Sequence, residues 1–327
     1  MAKAELITKL ITYASMKDET NFKRAVEAII ADERAKQHHV LADKLTEAYN
    51  LRNKISNKQF QNTSEDNEFV YFIQPKKQFS DLILDCKILK IFQDLVTEHF
   101  RSELLSSYGL SPRNRVLLAG SPGNGKTSLA EAIAYELSYP LIIVRYEKMI
   151  GSYLGETANR LRKVMEYASS RKCVLFFDEF ETIGKERGDN KETGEIKRVV
   201  SSLLMQIDRL PSYVVVVTAS NHPELLDRAV WRRFQIKVGL EKPDKALIKD
   251  YLCNFEEKSK MLFDFSKTKI STILLGLSYA EVEEFCLDVM RKSVLDHRFE
   301  DNSSIVSEVL KQLELKYSIQ KETVDEK

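Results

Sequence analysis

Residues Arg115 to Leu129 read RVLLAGSPGNGKTSL, a short apolar strand that breaks into glycines and then into a helix. Gly120, Gly125, Lys126 and Thr127 stand at the G-x-x-x-x-G-K-[ST] spacing of a phosphate-binding P-loop. The chemistry requires those residue types. Glycines let the backbone bend so that successive N–H groups point inward at a polyphosphate, and the helix opening at Gly125 adds the positive end of its dipole. Lys126 is a mobile point charge suited to the β- and γ-phosphates, and the Thr127 hydroxyl is a hard oxygen ligand suited to Mg²⁺. The whole loop, Gly120, Ser121, Pro122, Gly123, Asn124, Gly125, Lys126, Thr127 and Ser128, is therefore read as a nucleotide site.

Working outward, the 327 residues are 43% hydrophobic, enough for a sizeable core and for two or three domains. A formal charge of +1 sets up no overall field for nucleic acid or an anionic membrane. Cys86, Cys173, Cys253 and Cys286 are scattered without a C-x-x-C pair, so neither a zinc knuckle nor a disulfide framework is suggested and a reducing cytoplasm is expected. His38 and His39 fall on different sides of a helix and His99 and His297 stand alone, so no metal cluster is expected from them. No eighteen apolar residues run together, and Glu5 interrupts the first apolar turns, so neither a membrane span nor a secretory signal is read.

The pattern up to residue 55 is helical, with stripes at Leu6, Ile7, Leu10, at Phe22, Val26, Ile29, and at Leu41, Leu45, Ala48. It is read as a small all-α domain, an adaptor or a self-packed bundle, followed by a polar linker over 56–68. Phe69 to Ile73 predicts a short strand and Asp81 to Tyr108 one long helical stretch. Apolar runs at Leu141–Val144, Cys173–Glu179, Tyr213–Thr218 and Phe234–Val238 alternate with helical patterns. Strands alternating with helices around a P-loop predict an α/β fold, a parallel sheet with helices on both faces and the ligand at the strands' carboxyl ends, over residues 69–240. Helical patterns alone then fill 241–318 as a lid subdomain, before a polar tail at 319–327 that is expected to be disordered.

The run CVLFFDE, from Cys173 to Glu179, ends in two carboxylates. Asp178 is suited to hold Mg²⁺ through its waters, and Glu179 to orient and deprotonate the attacking water. On GSPGNGKT, on VLFFDE and on TASNHPELLDRAVWRRF, from Thr218 to Phe234, the chain resembles the AAA ATPases. That resemblance implies ATP and Mg²⁺ as cofactors and makes Asn221 a sensor of the γ-phosphate and the water. It makes Arg232 and Arg233 paired fingers reaching a neighbour's site, in the double-arginine form of the microtubule-severing and vacuolar-sorting members. GLSYAEVEEF, from Gly276, resembles the family's lid stretch, in which Ala280 sits beside the nucleotide. SYLGET, from Ser152, resembles its first pore loop, with Tyr153 and Leu154 gripping a threaded polypeptide; Gly184 to Gly194 would be a second, charged loop. Ser121 and Asn124 replace a proline and a threonine common in the family, and neither change removes a backbone donor.

ERAKQHHVLADKL, from Glu33 to Leu45, is similar to the N-termini of small bacterial one-ring ATPases found beside subtilisin-like proteases, which implies such a protease as a partner for residues 1–55. The expectation is an ATP-driven ring, a hexamer, that remodels, unfolds or threads a protein substrate. Two alternatives stay open: an assembly switch that presents a partner, and a nucleic-acid translocase or loader.

Overall fold

The computed structural model describes residues 69–145, 154–183, 192–296 and 302–313 and the helical positions Val26 and Ile29, with the backbone alone at 154–158, 182–183 and 192–200. The expected linker, Tyr153, the charged loop at 184–191, the tail and most of the N-terminal helical stripes lie outside the described residues. The chain divides into two compact units, Met1–Asp66 and Asn67–Lys327, and the sheet belongs to the second.

Six strands form that sheet in the order β1-β3-β4-β5-β2-β6. They are β1 Val70–Ile73, β2 Arg115–Ala119, β3 Leu141–Val144, β4 Cys173–Phe177, β5 Val214–Ser220 and β6 Ile236–Gly239. All neighbours run parallel except β1 and β3. The parallel sheet read from the alternation is therefore present, with the edge strand β1 added antiparallel. β1 lies on the edge of the sheet, where it pairs with β3, and its residues range from buried to exposed.

Strands β4 and β5 are buried along their whole length because helices cover both faces. Alternate residues serve opposite sides, as a period of two demands. Val116 and Leu118 pack with Phe92 and Leu95 of α1 (Cys86–Phe100) and with Leu129 and Ile133 of α3 (Lys126–Leu137). Leu117 packs on the other side with Leu161 and Val164 of α4 (Leu154–Ser169) and with Leu203 and Ile207 of α5 (Glu192–Arg209).

The single long helix expected over Asp81–Tyr108 is broken. Phe79–Asp81 forms a 3₁₀ turn, Asp85 caps α1 through Lys87 N–H at 2.6 Å, and a second helix, α2 (Ser102–Ser107), follows a break at Arg101. The end of α1 is drawn onto the lead into β2. Glu98 accepts from Arg113 N–H at 2.9 Å and pairs with its guanidinium, while buried His99 Nε2 donates to Arg113 O at 2.9 Å. Burial holds the His99 pKa below the usual imidazole value, consistent with a neutral ring.

After α6 (Arg228–Arg233) and β6, the chain forms α7 (Lys245–Ser259), α8 (Lys267–Ile273), α9 (Tyr279–Leu295) and α10 (303–313). These helices enclose an apolar cluster of their own around Ile248, Phe263, Ile270, Phe285 and Val306. Buried Asn302 pins it, holding Ser293 Oγ at 2.5 Å and donating to Leu262 O at 2.7 Å.

One aromatic group joins the sheet to α6. Phe180, just past β4, meets Phe177 edge-on at 6.3 Å and Phe234 at 6.1 Å, and is 1% exposed. Phe180→Ala is expected to lower unfolding free energy by about 3–5 kcal/mol, as for other buried Phe truncations. A denaturant titration checks this, and a loss below about 1 kcal/mol would mean the cluster contributes little.

Candidate functional site

The chain leaves β4, β5 and β2 side by side at their carboxyl ends, because these three strands are neighbours in the sheet. Gly120 follows β2 and its N–H donates to Ser220 O, the last residue of β5, at 3.1 Å. Only glycine fits there, since a Cβ would stand 2.2 Å from Leu240 O. Buried Asn124 ties the far side of the loop to the same carbonyl through Nδ2 at 3.2 Å. The replacement of threonine by Asn124 therefore keeps the loop seated on the exit of β6.

Lys126 opens α3 and is buried, with Nζ donating to Gly120 O at 2.6 Å and Ser121 O at 2.9 Å. Burial lowers its pKa from the usual lysine value, and the negative fields of Asp178 and Glu181 act against that shift. Thr127 Oγ1 lies 3.5 Å from Asp178 Oδ2, which places two hard oxygens at the head of the helix. Ser121, Pro122 and Gly123 are exposed, and Ser128 Oγ accepts from Lys77 Nζ at 2.8 Å.

Asp178 and Glu179 lie just beyond β4 rather than within it. Glu179 is exposed on a left-handed backbone, φ +47°, and its N–H donates to Asp178 Oδ1 at 2.9 Å. A non-glycine residue in that region costs on the order of 1–3 kcal/mol, so the local fold holds the Glu179 carboxylate toward the opening against a strain. Asn221 follows β5, and its N–H donates to buried Glu181 Oε1 at 3.0 Å.

The second helical layer closes the other side. Ala280 N–H donates to Gly123 O at 3.0 Å, and a Cβ on Gly123, at φ +79°, would stand 2.8 Å from Ser278 Oγ. Ser278 caps α9 in a reciprocal box with Glu281. Lys258 Nζ bridges to Asp81 Oδ1 at 2.8 Å, and that hydrogen bond is the main cause of a lowered Asp81 pKa. The result is a cleft of about 770 Å³ whose lining includes Lys126, Thr127, Asp178, Glu179, Asn221 and Ala280. Its volume is that of a site for a small ligand.

The two arginines stand differently. Asp227 caps the short helix α6 that carries both. Arg232 is exposed and makes no ion pair among the described residues. Arg233 is paired with Asp208 near the end of α5, where Arg115 Nη1 also reaches Asp208 Oδ1 at 2.5 Å. Neither arginine is among the described residues lining the cleft. Leu154 is the first residue of α4, and Glu192–Gly194, the end of the expected charged loop, are helical.

Sequence reasoning passed over Glu181 and Asp208. Glu181 reads as one more acid after Asp178 and Glu179; the one available signal is its setting between Phe180 and Ile183, which favours burial. Asp208 carries no local signal, because its partners are 93 positions away and 25 positions away in the chain, Arg115 and Arg233.

Residues 116–242 match the family described as ATPase family associated with various cellular activities (AAA). The chain is 35% identical over 307 residues to the AAA family ATPase y4kL of Sinorhizobium fredii, covering 91% of each. It is also 35% identical over 207 residues to peroxisomal ATPase pex6 of Schizosaccharomyces pombe, covering 60% of this chain and 21% of that protein. A 26S proteasome regulatory subunit homolog of Methanothermobacter marburgensis is 34% identical over 196 residues, covering 59% and 51%. Those two matches are shorter and cover only part of longer proteins, whereas the match to y4kL runs over nearly the whole of both chains. A P-loop seated at the ends of β2, β4 and β5, in a chain so closely matched to y4kL, makes this protein a member of the AAA family of ATPases and an ATP-hydrolysing enzyme.

Proposed function

We propose that the enzyme assembles into a homo-oligomeric ring, a hexamer, and couples ATP hydrolysis to remodelling or threading of a protein substrate. The observation that carries this reading is Arg232, which is exposed and lies off the lining of its own chain's cleft. An arginine so placed meets a γ-phosphate in a neighbour's cleft, and head-to-tail contacts of that kind close into rings. Relatives named as a peroxisomal ATPase and a proteasome regulatory subunit homolog, and a net charge of +1, favour a protein substrate over nucleic acid.

In this reading the loop amides and Lys126 hold the phosphates, Lys126 giving up the Gly120 and Ser121 carbonyls to do so. Thr127 and Asp178 fit Mg²⁺, a hydroxyl and a carboxylate oxygen 3.5 Å apart. When bound, the ion neutralises charge on the β- and γ-phosphates. Glu179 takes the proton of the attacking water and the Asn221 amide orients that water. Ala280 carries the lid's contact to the loop. Arg232 stabilises the neighbour's transition state, and Arg233 joins it by leaving Asp208. Tyr153 and Leu154 grip the polypeptide through apolar contact.

Arg232→Ala is expected to cut kcat by about 10³-fold or more, the usual weight of a finger, with ATP affinity and Tm unchanged. Arg233→Ala is expected to lose turnover and also to lower Tm, because Asp208 and Arg115 lose part of their network. Mixing Arg232→Ala with Glu179→Gln should restore activity; its absence at every mixing ratio would rule out a shared site.

Tyr153→Ala separates a threading machine from an assembly switch. ATPase activity is expected to stay within a few-fold while unfolding of a tagged substrate is lost, and Tyr153→Phe is expected to be nearly silent, since the ring makes the contact. Substrate unfolding by Tyr153→Ala at the wild-type rate would exclude threading and leave the switch.

A further inference from the structure

Glu181 is 3% exposed in a protein whose other acids near the cleft, Asp178 and Glu179, reach solvent. It sits in the 3₁₀ turn Phe180–Ile183 that β4 runs into, two residues after Glu179. Burying a carboxylate is costly unless it is hydrogen-bonded, so its partner is informative. That partner is the backbone N–H of Asn221, at 3.0 Å, which is the first residue beyond β5. The residue before it, Ser220, accepts Gly120 N–H. The exits of β4, β5 and β2 are thus joined in one chain of two hydrogen bonds, with Glu181 making the first.

Glu181 grips the main chain of Asn221 and leaves its side chain unengaged. Asn221 Oδ1 is buried and has no protein partner among the described residues. Glu181 therefore holds the backbone of Asn221 and leaves its side-chain oxygen uncommitted to any described protein group. The second oxygen of Glu181, Oε2, is also buried without a protein partner among the described residues. One oxygen therefore carries the contact.

We propose that Glu181 is a positioning residue for ATP hydrolysis: its carboxylate clamps the backbone of Asn221 and so fixes the spacing between the Asn221 amide and the Glu179 carboxylate. The proposal rests on the reading of Glu179 and Asn221 given above. The clamp acts on reaction geometry, and a misplacement of about 1 Å costs roughly 10²-fold in rate. Glu181 reaches Lys126 of the phosphate-binding loop through its field and its hydrogen bond goes to Asn221, so ATP affinity is expected to change much less than the rate.

The test compares reach with charge. Glu181→Gln keeps an oxygen of the same reach to accept the Asn221 N–H, whereas Glu181→Asp keeps the charge and is one methylene shorter. ATPase rates at saturating ATP, affinity for a fluorescent ATP analogue and Tm are measured for both, for Glu181→Ala and for Asn221→Ala. Glu181→Ala and Glu181→Asp are expected to lose kcat by about 10²-fold with affinity within about threefold, and Glu181→Gln to retain it within about fivefold. The double variant Glu181→Ala with Asn221→Ala is expected to fall no further than Asn221→Ala alone, since both remove one function. A Glu181→Gln loss as deep as Glu181→Asp, or additive losses in the double variant, would overturn the clamp. If Asn221→Ala itself leaves kcat intact, the sensor reading fails; if it cuts kcat while Glu181→Ala and Glu181→Asp do not, the clamp alone fails. Should Glu181→Ala not fold, the Gln and Asp pair decides the question.

Discussion

The parallel hydrogen bonding of β5 between β4 and β2 is the constraint on which the site depends. Phe177 lies opposite Thr218, and Ala119 opposite Ser220, so three chain exits emerge at nearly one level. The P-loop, the Asp178-Glu179 pair and Asn221 leave from those exits. Slipping one strand by one residue would exchange the faces on which its side chains pack and carry one of these groups away from the other two. With both faces of β4 and β5 covered by helices, such a slip is strongly disfavoured, and the precision of the site is inherited from the core.

Polar groups in the cleft wall are held by the backbone more than by one another. Lys126 rests on two carbonyls of its own loop, Asn124 on Leu240 O, and Glu181 on the Asn221 N–H. The Asn124 and Glu181 contacts fix where their loops stand, whereas those of Lys126 occupy its ammonium group with its own loop. The strained backbone of Glu179 fits the same pattern, since its carboxylate is exposed at the opening while its N–H is tied to Asp178.

Among the described residues, the helices after β6 meet the sheet layer at points on the cleft. Gly123 O with Ala280 N–H and Lys258 with Asp81 are contacts of this kind. Residues of both layers line the cleft between them. Gly123 is thus a point of direct contact between the loop after β2 and the start of α9. The lid's own apolar core lets it respond as a unit.

From the sequence alone, the spacing of Gly120, Gly125, Lys126 and Thr127 determined the phosphate loop, and the apolar runs ending at Ser220 and before Asp178 determined two of the strands that present it. These signals are local: a turn, a helix start or a strand end needs only a handful of consecutive residues. The direction of β1 was not legible, because its alternation is the same whether it pairs parallel or antiparallel. The break at Arg101 was not legible either, since it is set by Glu98 and His99 reaching Arg113, which lies beyond the helix. Tertiary structure alone decided that Glu181 faces inward onto Asn221 and that Arg233 is held by Asp208 while Arg232 is not. Each of those outcomes is a contact between residues far apart in the chain, formed only once the sheet has set its strands side by side, and nothing in the order of the residues encodes it locally.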